Sequence, residues 1–206
     1  MAGWLWNLLT TLGDDPSPDP LPRPPRRCDR FADVPLVDQF GRRLRFREAF
    51  VDGRALIVNT MYTVCRGTCP GTSQTLKGLR EKLSPVFGDR LTIVSLSIDP
   101  ERDDPRSLRM FASIYGADRH QSGLCDWRFV TGEPADVDRL RRSLDFYDLD
   151  PAVDADPTRH ASTLLFGNST SDRWAAMPAE QREPLLIEAI RRVAGFTFEQ
   201  KYGIPG

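Results

Sequence analysis

Two mainly apolar runs stand out along the chain: Ala55-Leu-Ile-Val-Asn-Thr-Met-Tyr62 and Arg90-Leu-Thr-Ile-Val-Ser-Leu-Ser-Ile98. Runs this long between polar stretches predict strands covered on both faces of a sheet. Between them the pattern changes period. Leu76, Leu79 and Leu83 recur at spacings of three and four, which predicts a helix over residues 70–84. A second helix is expected over Pro105–Tyr115, with proline in its first turn and Leu108, Phe111, Ala112 and Tyr115 on one face. Trp127–Val130 reads as a short strand, and Pro134–Leu144 as a helix turning Val137, Leu140 and Leu144 inward. Residues 145–159 read as a polar, acidic loop. Ala161–Phe166 and Arg173–Met177 suggest a hairpin around Gly167-Asn168, and Pro178–Ala194 a last helix. Upstream, residues 35–40 and 42–46 flank Gly41 as two short strands.

Strand, helix, strand, helix, then hairpin and helix is the order of a thioredoxin-like α/β fold. The expectation is a central mixed sheet flanked by helices, with an N-terminal strand hairpin. The domain should span residues 31–195, after a short apolar segment (1–12) and a Pro-rich linker (13–30), and before a C-terminal tail (196–206). Residues 13–27 carry six prolines, which suits an extended spacer. Trp4-Leu-Trp-Asn-Leu-Leu-Thr-Thr-Leu12 is far shorter than the roughly 20 residues of a spanning helix. It suits an interfacial or docking helix with two Trp anchors, or a short helix packed on its own domain. No secretory signal is legible there, so the sequence by itself points to the cytoplasm.

Charge narrows the function. With 28 basic and 29 acidic residues, the chain has no electrostatic footprint for nucleic acid. Four cysteines in 206 residues do not make a disulfide scaffold. Cys28 and Cys125 read as ordinary free thiols. The pair Cys65 and Cys69 differs, because it falls where a strand ends and a helix begins. A helix N-terminus offers free N–H groups and partial positive charge, which favour thiolate. Such a pair can exchange disulfides or turn both sulfurs toward one ion. Thiolates are soft ligands suited to Cu(I) or Zn(II). His160, just before the Ala161–Phe166 strand, is placed to face them across the sheet edge and complete a two-sulfur, one-nitrogen site. Three ligands suit Cu(I), whereas zinc usually takes a fourth. His120 has no comparable placement, beyond an auxiliary role with Cys125.

Four segments together resemble the SCO/SenC family of copper-binding, thioredoxin-like proteins that help assemble the copper centre of cytochrome c oxidase. They are Cys65-Arg-Gly-Thr-Cys69-Pro70, Ser95-Leu-Ser-Ile-Asp-Pro-Glu-Arg-Asp103, Trp127-Arg-Phe-Val-Thr-Gly132 and Arg159-His-Ala-Ser-Thr-Leu-Leu-Phe166. The resemblance covers roughly residues 31 to 195. It implies that Cys65, Cys69 and His160 bind copper, as Cu(I) or alternatively Cu(II), and that the cysteines cycle between dithiol and disulfide. Oxidation removes both thiolates and should release the metal. Asp99, at the end of the second buried strand, would orient His160 as a hydrogen-bond acceptor or else cap the turn before Pro100. The resemblance further implies a copper-receiving partner such as an oxidase subunit, and a location outside the cytoplasm or at a membrane. Three details depart from the family pattern: the usual membrane anchor or export signal is not legible, Arg66 stands where proline is common, and the usual aspartate is missing immediately before His160.

The expected function is a monomeric copper chaperone with redox-active thiols. Its competitors are a metal-free thiol–disulfide oxidoreductase or peroxide reductase, and a copper or redox sensor acting through a partner.

Overall fold

The computed structural model describes residues 25–65, 67 and 69–203. The expectations for Trp4–Leu12, for residues 13–24 and for Arg66 lie outside the described residues.

The two apolar runs form neighbouring parallel strands, β3 (Ala55–Met61) and β4 (Leu91–Ser97), every residue of both buried. They sit in a seven-stranded sheet of order β2-β1-β5-β4-β3-β6-β7, with β1 Pro35–Asp38, β2 Arg43–Arg45, β5 Asp126–Thr131, β6 Thr163–Asn168 and β7 Arg173–Pro178. The β3, β4 and β5 strands run parallel, and every other pairing is antiparallel. This is the expected mixed sheet with its N-terminal hairpin.

Alternation along each strand divides the core in two. Ile57 and Ile93 face α1 (Cys69–Phe87), α2 (Pro105–Ile114) and α5 (Glu183–Ala194), meeting Leu76, Leu79, Leu83, Phe111 and Ile190. Leu56, Val58, Val94 and Leu96 face the opposite layer, where α3 (Pro134–Ser143) brings Val137 and Leu140 onto Phe46 and Phe50. Each such side chain contributes about 1.5–3 kcal/mol by leaving water. One polar thread crosses the middle: Trp127 Nε1 donates to Ser95 Oγ (3.0 Å), which donates to Asn59 Oδ1 (2.7 Å).

Several boundaries differ from the sequence expectation. The hairpin turn lies at residues 169–172, not at Gly167-Asn168, which belong to β6. Gly167 serves packing: a methyl there would run into the Arg173 carbonyl and the Trp174 ring. The β6 strand begins at Thr163, because Thr163 N–H donates to Ala161 O in a tight turn (2.9 Å). The last helix starts at Glu183 instead of Pro178, since β7 extends through Pro178 and Ala179 N–H is held by Ser162 O (2.7 Å). The acidic 145–159 stretch is partly ordered into α4 (Pro151–Asp154) and a 3-10 turn, Pro157–Arg159. Asp150 and Asp156 cap these elements, each directly before a proline. The expected tail contains α6 (Phe198–Tyr202). At the other end, a 3-10 turn over Arg27–Arg30 buries Cys28, so ordered packing starts inside the stretch expected to be linker. The Arg27 and Cys28 N–H groups donate to Asp172 in the β6–β7 turn (2.6 and 3.1 Å).

Candidate metal and redox centre

The chain leaves β3 at Met61 and enters α1 at Cys69, so the connecting loop projects from the carboxyl end of a central parallel strand. Open α/β sheets place their reactive groups there. The loop is tied down from below. Ile98 N–H donates to Met61 O (2.9 Å), and Cys65 N–H donates to Tyr62 O (3.2 Å). Asp103, 1% exposed, accepts from the Thr63 hydroxyl (2.5 Å), the Thr63 N–H (3.1 Å) and the Ser97 hydroxyl (2.7 Å). The residue two positions before Cys65 is therefore held by a buried carboxylate.

The β6 strand runs antiparallel to β3, which brings the residues preceding Thr163 back to this same end. His160 arrives there with Nε2 at 3.4 Å from Cys69 Sγ and Nδ1 at 3.3 Å from Thr60 Oγ1. The Tyr62 ring packs edge-on against the imidazole. In the tautomer protonated at Nδ1, the ring donates to Thr60 and keeps the Nε2 lone pair toward the sulfurs. The ligand atoms of Cys65, Cys69 and His160 all lie within 4.8 Å of one another. Among the described residues this is the one cluster of three or more such groups.

The two thiols are unequal. Burial pushes the half-buried Cys65 up, but hydrogen bonds from the Cys69 thiol, the Cys69 and Gly67 N–H groups and the Tyr62 hydroxyl outweigh it, leaving Cys65 below its ordinary range. Cys69, fully buried, is pushed up to about 12 by burial and by its hydrogen bond with Cys65. Burial also lowers His160, which keeps the imidazole neutral and able to ligate. The more acidic thiol, a thiol that holds its proton and a neutral imidazole thus converge.

Asp99 borders the same cleft as His160, but its carboxylate faces Arg102 (3.5 Å), and its carbonyl accepts from Arg102 and Asp103 N–H. His160 Nδ1 meets Thr60 instead. His120 lies at the other end of the sheet, 3.7 Å from Asp126. Cys28 and Cys125 are buried free thiols. Sequence reasoning missed Thr60, Tyr62 and Asp103. Along the chain Thr60 and Tyr62 read as strand interior, and no local pattern marks Asp103 as the acceptor that serves the loop.

Metal–ligand bonds of about 2.0–2.3 Å, as for zinc with nitrogen and sulfur, place donors around one ion about 3.5–4 Å apart. A spread of 4.8 Å reaches that by side-chain rotation, so the donor set fits a soft cation. A mixed thioredoxin-like sheet with a dithiol at the first strand–helix junction and an imidazole converging on it defines a class of redox- and metal-competent proteins. Within that class, the chain belongs to the SCO1/SenC family, whose model matches residues 30–195. It is similar to the SCO1 protein homolog of Bacillus subtilis, 31% identical over 80 residues, which is 39% of this chain and 38% of that relative. In fold it is similar to Bradyrhizobium japonicum ScoI, solved with copper bound (20% identity, TM-score 0.60, covering 79% of this chain and 98% of the other). It is also similar to BsSco, described as having a disulfide switch and as a member of the Sco family of cytochrome c oxidase assembly proteins (18% identity, TM-score 0.62, covering 81% and 94%). No described helix is long and apolar enough to cross a membrane.

Proposed function

We propose that this protein binds one copper ion through Cys65, Cys69 and His160 and delivers it to a partner protein, with the same cysteines acting as a dithiol–disulfide switch. The convergence of two sulfurs and an imidazole within 4.8 Å carries the reading. Copper is the cargo. A neutral imidazole and two sulfurs suit Cu(I) in three-coordination. Loading displaces the Cys69 proton, so uptake releases acid. Oxidation to a Cys65–Cys69 disulfide, with a substrate disulfide taking the two electrons, removes both thiolates, which leaves His160 alone and releases the metal. Membership of the SCO1/SenC family supports a target in cytochrome c oxidase assembly. The test is Cu(I) competition against a chromophoric chelator with reduced protein. The expected result is one equivalent bound per chain, with His160→Ala weaker by at least about tenfold. Unchanged affinity in that variant would overturn the copper site.

The inequality of the thiols supports a second activity. Cys65 thiolate would attack a substrate disulfide and form a mixed disulfide, expelling one substrate thiolate. Cys69, its proton passing to the expelled substrate thiolate, would then attack Cys65 Sγ, releasing the second substrate thiolate and leaving the Cys65–Cys69 disulfide. Two electrons pass to the substrate. This reaction requires Cys65 but not His160, so Cys65→Ser and His160→Ala separate the two activities.

A further inference from the structure

At the opposite end of the parallel strands, the β1–β2 turn, the α2–β5 loop, the start of β5 and the middle of α1 enclose a cavity of about 270 Å³. Arg80 stands 11 residues after Cys69, about 16 Å along α1, which separates this cavity from the dithiol. Four guanidinium groups line it: Arg42, Arg80, Arg119 and Arg128. Two carboxylates stand against them. Asp126 in the wall and Asp38 behind it both bind Arg128, at 2.9 Å each.

Arg80 is the unusual member. It is 3% exposed, and its recorded hydrogen bonds go only to main-chain carbonyls, Nε to Cys125 O (2.8 Å) and Nη1 to Gly116 O (3.0 Å). Arg128 takes the wall's one carboxylate at close range, whereas Arg80 forms no ion pair with a described residue. Asp126 and Glu81 act on Arg80 only from beyond ion-pair distance, and a buried charge without a direct ion-pair partner is costly. The Phe40 ring holds the mouth in shape, with the Arg42 and Arg128 guanidiniums 5.7 and 5.3 Å from its centroid. Arg42 and Arg119 are exposed beside this buried cation and have no carboxylate partner of their own among the described residues.

We propose that this cavity is a binding site for a small tetrahedral oxyanion of the phosphate or sulfate type. The anion compensates Arg80 from inside the cavity, and Arg42 and Arg119 close over it. Fork-shaped guanidinium donors match such oxygens, and charge-assisted bonds of this kind are the stronger ones. The proposal is independent of the copper reading, because no residue is shared.

The experiment is calorimetric titration of the reduced, metal-free chain with inorganic phosphate and, separately, with sulfate, at constant ionic strength in chloride. One saturable site is expected for at least one of the two, and the arm that saturates identifies the anion. The double substitution Arg42→Ala/Arg119→Ala should weaken binding at least about tenfold while leaving the near-UV circular dichroism unchanged. If that variant does not fold, Arg119→Glu alone carries the test and should abolish binding. Absence of saturable binding by either anion, or unaltered binding in the folded variant, overturns the proposal.

Discussion

Replacing Asp103 by alanine removes one acceptor from three donors at the base of the Cys65 loop. The carboxylate is 1% exposed and receives the Thr63 hydroxyl, the Thr63 N–H and the Ser97 hydroxyl. Hydrogen bonds to an ionised partner contribute about 1.5–3 kcal/mol each, and stranding a buried donor costs about 1–3 kcal/mol. The desolvation of Asp103 itself offsets part of this. Ser97 Oγ keeps the bond it accepts from Asp99 N–H (3.1 Å) but its own O–H is stranded, while Thr63 loses acceptors for two donors, so the larger share of the loss falls on Thr63. The expected destabilisation is about 3–5 kcal/mol, a large share of the 5–15 kcal/mol typical of a domain. Asp103→Asn keeps the shape and one carbonyl oxygen. Its amide can donate to the Thr63 hydroxyl, and it should cost about 1–2 kcal/mol. Urea titration of the reduced, metal-free protein, followed by tryptophan fluorescence, measures both. The expected signature is a lower midpoint at unchanged slope. An Asp103→Ala variant within about 1 kcal/mol of the parent would refute the claim that this carboxylate anchors the loop.

Thr60→Val removes the hydrogen-bond partner of His160 Nδ1 while keeping the side-chain shape. Copper affinity should fall about tenfold with stability nearly unchanged, as read by chelator competition and urea titration. Iodoacetamide near neutral pH should alkylate Cys65 well before Cys69, since only Cys65 is held below the ordinary thiol range. Mass spectrometry of tryptic peptides separates the two sites at Arg66, and equal rates would contradict the asymmetry. The Arg141 guanidinium, with help from Arg142, holds the Asp154 carboxyl well below its ordinary 3.8. A depressed carboxyl stabilises the fold above its unfolded value, and that share is lost as pH falls below it. Asp154→Asn should therefore flatten the acid limb of a stability–pH curve; a limb of unchanged steepness would place the acid sensitivity elsewhere.

The strands and helices of the core were legible because burial imposes its period on the sequence. Ala55–Tyr62 and the Leu76, Leu79, Leu83 series could face only the interior. The helix starts at Pro105, Pro151 and Pro157 share one device, an aspartate cap directly before proline; only the proline is legible as a start, and only at Pro105, because the later two elements bury no apolar stripe. The hairpin turn was misplaced because Gly167-Asn168 has turn composition, whereas Gly167 answers to the Trp174 ring across the strand pair. Such a contact has no local signature. At the centre, the Cys65–Cys69 spacing and the position of His160 could be read along the chain. Thr60 and Asp103 could not, since their roles arise only when β3, β4 and the segment before β6 are brought side by side.

The tie between Arg27, Cys28 and Asp172 has a mechanical consequence. Asp172 lies in the β6–β7 turn, beyond Asn168, which pairs with Ala55 at the start of β3; the dithiol lies past the finish of β3. At about 3.3 Å per residue, the seven residues of β3 put roughly 20 Å between these two poles. Whatever pulls on the chain ahead of Arg26 therefore bears on the pole remote from the sulfurs. A load there would be taken up by the Asp172 turn before it reached the Cys65 loop, leaving the sulfur-bearing pole free to meet another protein face-on.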